Sequence, residues 1–323
     1  MSDVTQLEQH RSELTGYCYR MLGSAFEAED AVQETMVRAW KGFDKFEGRS
    51  SLRSWLYRIA NNVCLDMLGS SQRRVRPMDL GPSSTADSAL RPPLPESAWI
   101  GPAPDSRMVS DGRGDPAEQA VARESVQLAF VAALQHLPSR QRAVLVLREV
   151  LKWSAAEVAE LLGTTVASVN SALQRARATL ATVNATPTDT YQPLDEAQRD
   201  LLSRYVSAFE SYDMDSLTSL LHEDAAMSMP PLDLWLRGAD QIRAWMLGTG
   251  HECRGSRLVP TAANGAPAFG QYRCAAEPGR WNPWALQVLE IVDGRIAGLN
   301  SFLDTERLFP LFGLPPKLEG SIG

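Results

Sequence analysis

Trp153–Leu180 reads WSAAEVAELLGTTVASVNSALQRARATL, and its punctuation decides what the middle of the chain folds into. Ser154 and Glu157 stand in the S-x-x-E spacing of a capping box, so a helix is predicted to begin near Ala155. Val158, Leu161 and Leu162 share one face of it. Gly163 can take the left-handed conformation that stops a helix, and Thr164 or Thr165 can cap the next. Val166, Val169, Leu173, Ala176 and Leu180 then recur at three- and four-residue steps, the inward stripe of an amphipathic helix. The outward face carries Ala167, Ser168, Asn170, Ser171, Gln174 and Arg175. It is small at its start and rich in donors further on, as a helix entering a major groove must be. The plain alternative is a helical hairpin in an all-α core.

The rest of the chain has to accommodate that hairpin. At 323 residues two or three domains are expected, and a hydrophobic content of 44% supplies sizeable cores. A formal net charge of −7 argues against a strong independent nucleic-acid binder, but the charge is uneven. Residues 1–76 carry 11 basic and 10 acidic side chains, residues 117–185 carry 7 and 5, and residues 186–323 carry 11 and 18. The first two blocks are thus weakly basic and the acidity belongs to the last third. Cys18, Cys64, Cys253 and Cys274 show no C-x-x-C spacing, which speaks against a zinc site or a disulfide framework; no metal or cofactor is expected. The sequence contains no apolar run long enough for a membrane span and no secretory signal, so a cytoplasmic location is expected and membrane partners are not.

Residues 5–76 read as helical. Ser24 and Glu27 form a second capping box, opening a helix to about Lys41 whose buried stripe would be Val32, Met36, Ala39, Trp40 and Phe43. Asp30, Gln33, Glu34, Val37 and Lys41 lie opposite. A further helix over Ser51–Leu68 turns Leu52, Leu56, Ile59, Ala60, Val63 and Met67 inward and Arg58, Asn61, Asn62, Leu65 and Asp66 outward, flanked by Trp55 and Tyr57. Asn lowers helix propensity, so adjacent Asn61 and Asn62 point to a task for their amides, which can read base edges while an aromatic stacks on an unpaired base. Arg73, Arg74 and Arg76 suit phosphates. Residues 77–116 are rich in Pro, Gly, Ser and Asp and read as a flexible linker, in which Trp99 and Ile100 could dock on a neighbouring surface. After helical residues 117–182 and a short linker over 183–193, residues 194–323 change character. Helices come first; AAMSM, WALQVLEIV and RIAGLNSFLD follow as strands, with Asp293-Gly294 as a hairpin turn, which describes an α+β domain.

Taken together, YCYRMLGSAFEAEDAVQETMVRAW (17–40) and FEGRSSLRSWLYRIANNVCLDML (46–68) resemble region two of extracytoplasmic-function sigma factors. LPSRQRAVLVLREVLKWSAAEVAELLGTTVASVNSALQRAR (137–177) resembles their region four. The resemblance implies a multidomain chain: two all-α sigma domains, region two over 5–76 and a region-four helix-turn-helix over 117–182, joined by the 77–116 linker. Residues 201–246 resemble the start of SnoaL-like domains, which implies an α+β cone over 194–323.

The family also implies partners and roles. Core RNA polymerase would be met by Asp30, Gln33, Glu34 and Val37. The melted minus-ten strand would be held by Arg49, Ser50, Trp55, Arg58, Asn61, Asn62, Arg73 and Arg74, and the minus-thirty-five element by Thr165, Ser168, Asn170, Ser171, Gln174 and Arg175. Acidic linker residues Asp79, Asp87, Glu96, Asp105, Asp111 and Asp115 could mimic nucleic acid in the polymerase cleft. The V-N-S-A-L run departs from the family's V-K-S-R-L, losing two charges at Asn170 and Ala172 and weakening the backbone grip. In the cone, Tyr205, Phe209, Met227, Met229, Trp235, Trp245, Trp281 and Trp284 could line a pocket for a small ligand, with His222, Asp224 and Asp233 as candidate polar groups. No paired acid–base constellation is visible, so the extension is expected to regulate rather than catalyse. Two other readings compete: a ligand-responsive helix-turn-helix regulator acting without polymerase, and a SnoaL-type cyclase or isomerase with a DNA-binding N-terminus.

Overall fold

The computed structural model describes residues 3–48, 50–69, 73–108, 121, 123–183, 188, 189, 191 and 195–320. They form two compact units, Met1–Val75 with Ile100–Thr186, and Arg76–Trp99 with Pro187–Gly323.

The first unit is helical. It begins with α1 (Asp3–Glu8), α2 (Arg11–Leu22), α3 (Ala25–Gly42) and α4 (Leu52–Leu68). α2 stops where Gly23 takes φ 73° and returns its N–H to the Tyr19 carbonyl, a conformation that costs glycine nothing. Ser24 then caps α3 by accepting the Glu27 N–H. Leu14, Tyr17, Met21, Ala28, Leu56, Tyr57 and Ala60 are fully buried between these helices, and the Tyr17 and Tyr57 rings meet edge to face at 5.3 Å. After α5 (Asp105–Met108), the second helical segment runs through α6 (Leu128–Leu134), α7 (Ser139–Leu145) and a π-helical turn (Val146–Val150) to α8 (Ala155–Leu162) and α9 (Val166–Thr182). Both sides of the Ser154–Glu157 capping box form, and Gly163 ends α8 at φ 60°.

The two helical segments are packed as one unit. Arg20 of α2 is buried and donates through Nε and Nη2 to Ser125 Oγ at 3.0 and 2.7 Å. Arg142 of α7 is buried too; it donates to the Met21 carbonyl, to Gln135 Oε1 at 2.6 Å and to the Leu137 carbonyl at 3.2 Å. Burial pulls both guanidinium pKa values down to about 10, because desolvation penalises the charged form. Trp153, just before α8, packs against Tyr57 with ring centroids at 5.1 Å and planes tilted by 59°, and the Arg53 guanidinium lies over both rings at 5.3 and 5.4 Å.

The flexible linker expected over 77–116 is corrected over its described part. Residues 76–99 belong to the second unit. Ser84 and Leu94 donate backbone N–H groups to the Trp235 and Pro231 carbonyls, Ala86 N–H donates to Gln241 Oε1, and Trp235 Nε1 donates to the Gly81 carbonyl. From Ile100 the chain rejoins the first unit: Ile100 and Gly101 donate to the Val75 and Gly23 carbonyls, and Tyr19 donates to the Gly101 carbonyl. A stretch too polar to make a core is ordered by acceptors far away in sequence. Trp99 and Ile100 are both buried, as docking required.

The second unit opens with α10 (Glu196–Ser211) and α11 (Met214–Ser219). The strands are β1 (Leu221–Ser228), β2 (Trp235–Arg237), β3 (Arg257–Ala263), β4 (Ala266–Cys274), β5 (Arg280–Val292), β6 (Arg295–Phe302) and β7 (Leu318–Glu319), with α12 (Ala239–Leu247) and α13 (Thr305–Leu311) between them. The sheet runs β2-β1-β6-β5-β4-β3, parallel only between β1 and β6. Asp293-Gly294 turns β5 into β6 with φ of 50° and 68°, and Asn264-Gly265 turns β3 into β4 with 57° and 67°; paired positive φ values are what a two-residue hairpin with matching twist requires. α10 packs on the sheet, with Tyr205 against Phe269 of β4 at 5.7 Å.

Candidate nucleic-acid interface

The outer face of α9 is open. Thr165 caps the helix, its Oγ1 accepting the Ser168 N–H at 3.2 Å. Val169, Leu173 and Ala176 are buried beneath, which leaves Thr165, Ser168, Asn170, Ser171, Gln174 and Arg175 all exposed. The residues expected to read the minus-thirty-five element thus form one accessible surface on a helix held by a packed partner.

The minus-ten candidates divide. Asn62 and Asp66 are exposed on α4, but Asn61 is only 2% exposed and its Oδ1 accepts the Tyr17 hydroxyl at 3.0 Å. The outward placement expected for Asn61 is corrected: α4 is rotated so that Tyr57, Asn61 and Cys64 face the bundle, and the Asn61 amide oxygen satisfies a buried phenol. Arg74 is corrected likewise. It is 4% exposed and paired with Glu27 at 2.7 Å, which takes its guanidinium away from any phosphate. Arg73 is exposed beside His136 Nε2 at 2.6 Å. Arg58 is partly exposed and reaches Glu160 of α8 at 3.6 Å. Trp55 is half-buried against Phe46 and Phe43, with ring centroids at 5.0 and 6.4 Å. Ser50 is half-buried. Arg49 lies outside the described residues.

On α3, Asp30, Gln33, Glu34 and Val37 are exposed together, as expected for a docking face. Trp40, expected in the buried stripe, is 62% exposed, beside Val37 at 44%. Its position seven residues after Gln33 and three after Val37 was the signal for placing it on the outer face. An exposed Trp next to an exposed Val is the composition of an interface anchor.

Asn61, Asn62 and Leu65 of α4 line one side of a cleft of about 150 Å³ whose other sides are Arg140, Leu161, Thr164, Ser168 and Ala172. The helix expected to read one promoter element and the start of the helix expected to read the other therefore share a single cleft.

In the second unit, Phe209, Met227, Met229, Trp245 and Trp284 line a cavity of about 30 Å³ together with Gln271, Gln287, Ser301 and Cys253. Tyr205 donates to Gln287 Oε1 at 2.8 Å, Gln287 to Gln271 Oε1 at 2.9 Å, and Gln271 to Ser256 Oγ at 3.1 Å. Trp235 and Trp281 do not line it; their indole N–H groups go to the Gly81 and Gly255 carbonyls. The candidate polar groups are also elsewhere. Asp224 pairs with Arg237 at 2.9 Å, Asp233 with Arg91 at 3.2 Å, and His222 Nδ1 accepts the Asp224 N–H. Cys253, whose thiol burial pushes up, lines it too; among the described residues no carboxylate or imidazole lines the cavity.

Residues 7–74 match the family Sigma-70 region 2, residues 127–180 match Sigma-70 region 4, and residues 202–299 match the SnoaL-like domain. The crystal structure of the extracytoplasmic function sigma factor SigJ from Mycobacterium tuberculosis superposes with a TM-score of 0.61 at 24% identity, covering 97% of this chain and all of that one; it shares the fold. By sequence, SigJ of Mycobacterium tuberculosis H37Rv is 29% identical over 76% of this chain and 72% of its own length. The ECF RNA polymerase sigma factor SigG of the same strain is 45% identical over 317 residues, 96% of this chain and 83% of that protein. An open reading helix, an exposed α3 face and a relative matched along almost the whole sequence agree: the chain belongs to the extracytoplasmic-function RNA polymerase sigma factors, of the kind that carries a C-terminal SnoaL-like domain.

Proposed function

We propose that this sigma factor binds core RNA polymerase through the α3 face, with Asp30, Gln33, Glu34, Val37 and Trp40, and brings it to promoters that α9 and α4 read. The observation that carries this reading is the pair of open surfaces on one helical unit: the donor-rich side of α9 and the Val37/Trp40 side of α3. Asn62, Trp55 and Arg73 remain the minus-ten candidates, while Asn61 and Arg74 hold the bundle together. The two promoter elements lie about 25 base pairs apart, roughly 85 Å of duplex at 3.4 Å per step. Helices that share one cleft cannot reach both, so promoter engagement requires α4 and α9 to separate. A regulator working without polymerase would have no use for the exposed α3 face, which makes that alternative the weaker one. For the SnoaL-like domain we favour regulation: its cavity offers no general base. A small ligand could occupy it only by displacing Met and Trp side chains, which adapt readily. Among the described residues no helix is long and apolar enough to cross a membrane, in keeping with work on DNA inside the cell.

The decisive experiment is transcription in vitro with core polymerase over a promoter library, with co-elution from a sizing column alongside. Promoter-directed transcripts that depend on Trp40 and on Gln174 would support the reading. Failure of the full chain to co-elute with core polymerase would sink it.

A further inference from the structure

The stretch from Arg142 to Trp153 is held in a shape that its own residues do not favour. Arg142 Nε, Arg148 Nε and Trp153 Nε1 are buried there without an acceptor among the described residues. A buried N–H left unpaired carries a desolvation penalty. The Arg142 guanidinium is itself buried, and it bonds to uncharged oxygens of Met21, Gln135 and Leu137. Val146–Val150 makes a π-turn directly after the α-helical residues of α7. Lys152 stands at φ 58°, in the left-handed region that a side chain resists. Unpaired donors, a π-turn and a left-handed lysine in one stretch mark a segment whose shape is imposed by its surroundings. Those surroundings are α2 and α4. Trp153 is buried against Tyr57 of α4, beneath the Arg53 guanidinium. Arg53 Nε and the Tyr57 hydroxyl are fixed in turn by Glu13 of α2, at 2.8 and 3.3 Å. Arg142 donates to the Met21 carbonyl at the C-terminal end of α2, where a helix favours positive charge.

We propose that residues 142–153 form an autoinhibitory clasp, in which Trp153 seated on Tyr57 holds region four closed against α4 in the free protein. The inference rests on the reading that α4 and α9 part at a promoter, and it names the contact that keeps them together. Contacts to α2 and α4 offset the local cost of the segment. Once those helices withdraw, water supplies acceptors to the three nitrogens, the Arg142 guanidinium is hydrated again, and the turn is free to relax. Opening thus recovers part of what is lost when Trp153 leaves Tyr57, which is what an element with two accessible arrangements requires.

The test pairs a loosening variant with a tightening one in the full chain, both checked for native circular dichroism. Arg53→Ala removes the cation over Trp153 without touching region four. Lys152→Gly removes the left-handed penalty and leaves every side-chain contact of the clasp in place. Hydrogen exchange reads the Leu151 and Trp153 amides, which donate to the Val146 and Leu147 carbonyls at 3.0 Å. Arg53→Ala should speed their exchange tenfold or more, and Lys152→Gly should slow it by about fivefold, while the interior amides of α9 keep their wild-type rates. In transcription with core polymerase, Arg53→Ala should then form open complexes faster than wild type and Lys152→Gly more slowly. Unchanged exchange in both variants overturns the proposal. So does equal acceleration along α9, because region four is then unfolding rather than letting go. Faster exchange joined to weaker transcription in Arg53→Ala overturns it as well, since the contact then only supports the fold. The exchange measurement contains neither polymerase nor promoter and decides the clasp by itself; a wild-type chain that directs no transcription at all would fault the promoter-specificity reading instead.

Discussion

Replacing Asn61 and Asn62 one at a time should produce opposite phenotypes, although the two residues are chemically identical neighbours. Asn61→Ala removes the acceptor of the Tyr17 hydroxyl, which is fully buried 3.0 Å away. The orphaned phenol then costs about 1–3 kcal/mol. In a unit of this size, 1 kcal/mol moves the melting temperature by about 2–4 °C, so a drop of roughly 2–12 °C is expected. Asn62 is exposed, and Asn62→Ala should stay within about 0.5 kcal/mol of wild type while impairing promoter opening. The Tyr17→Phe/Asn61→Ala double variant supplies the control. Removing both partners should cost less than the sum of the single changes, with a coupling of about 0.5–3 kcal/mol. Thermal unfolding by circular dichroism, run beside permanganate footprinting of the melted strand, measures both sides. If Asn61→Ala melts at the wild-type temperature yet fails to open promoters, the assignment of Asn61 to the bundle is wrong and its amide reads DNA after all.

Further expectations follow from other parts of the molecule. Trp40→Ala should weaken binding to core polymerase by about thirtyfold, the scale of a 2 kcal/mol anchor, with no change in melting temperature; a wild-type affinity by surface plasmon resonance would exclude α3 as the docking face. Gln174→Ala should relax sequence preference in a minus-thirty-five binding assay, whereas Arg175→Ala should lower affinity across sequences and reduce the salt slope by about one if it touches phosphate. Glu13 is pushed up by burial but pulled further down by its bonds to His10 and Arg53, and ends below the ordinary value of 4.5. Its folded pKa lies under its unfolded one, so its stabilisation is complete above about pH 4.5 and is lost as pH falls through the folded value. Glu13→Gln should flatten the acid side of the stability curve there, and an unchanged curve would show that the residue does not contribute. Truncation after Thr186 should open residues 76–99 to protease, because Trp235, Pro231 and Gln241 supply their hydrogen-bond partners; resistance of that segment in the truncated chain would argue that it is ordered by something else.

What the sequence made legible was local chemistry. Ser154, Glu157 and Gly163 act on groups within a few residues of themselves, and the helix-turn-helix formed around them as read. Asp293-Gly294 makes its hairpin for the same reason, and Asn264-Gly265 carries an equal local signal. What could not be read depended on partners distant in the chain. The period of α4 placed Asn61 on the outer face, whereas the structure buries it against the Tyr17 hydroxyl, 44 residues away. Arg74 looked like a phosphate ligand until Glu27 claimed it. The period of α3 puts Trp40 on the buried stripe, whereas it stands 62% exposed; large aromatics usually belong to a core, and an exposed one is the exception. The proline-rich stretch misled for a related reason: composition reports that a segment cannot build its own core, but says nothing about whether another domain offers it acceptors.

The assignment of residues 76–99 to the second unit means that the polypeptide passes from one body to the other three times, at Val75–Arg76, at Trp99–Ile100 and again before Pro187. A module attached only at a terminus can be traded between genes by a single recombination at its boundary. An interlaced one cannot: a chimaera that exchanges the SnoaL-like portion has to bring a matching insert from the middle of the chain. Ancestry in this lineage should accordingly show the central insert and the C-terminal body changing in step, as halves of one inherited block.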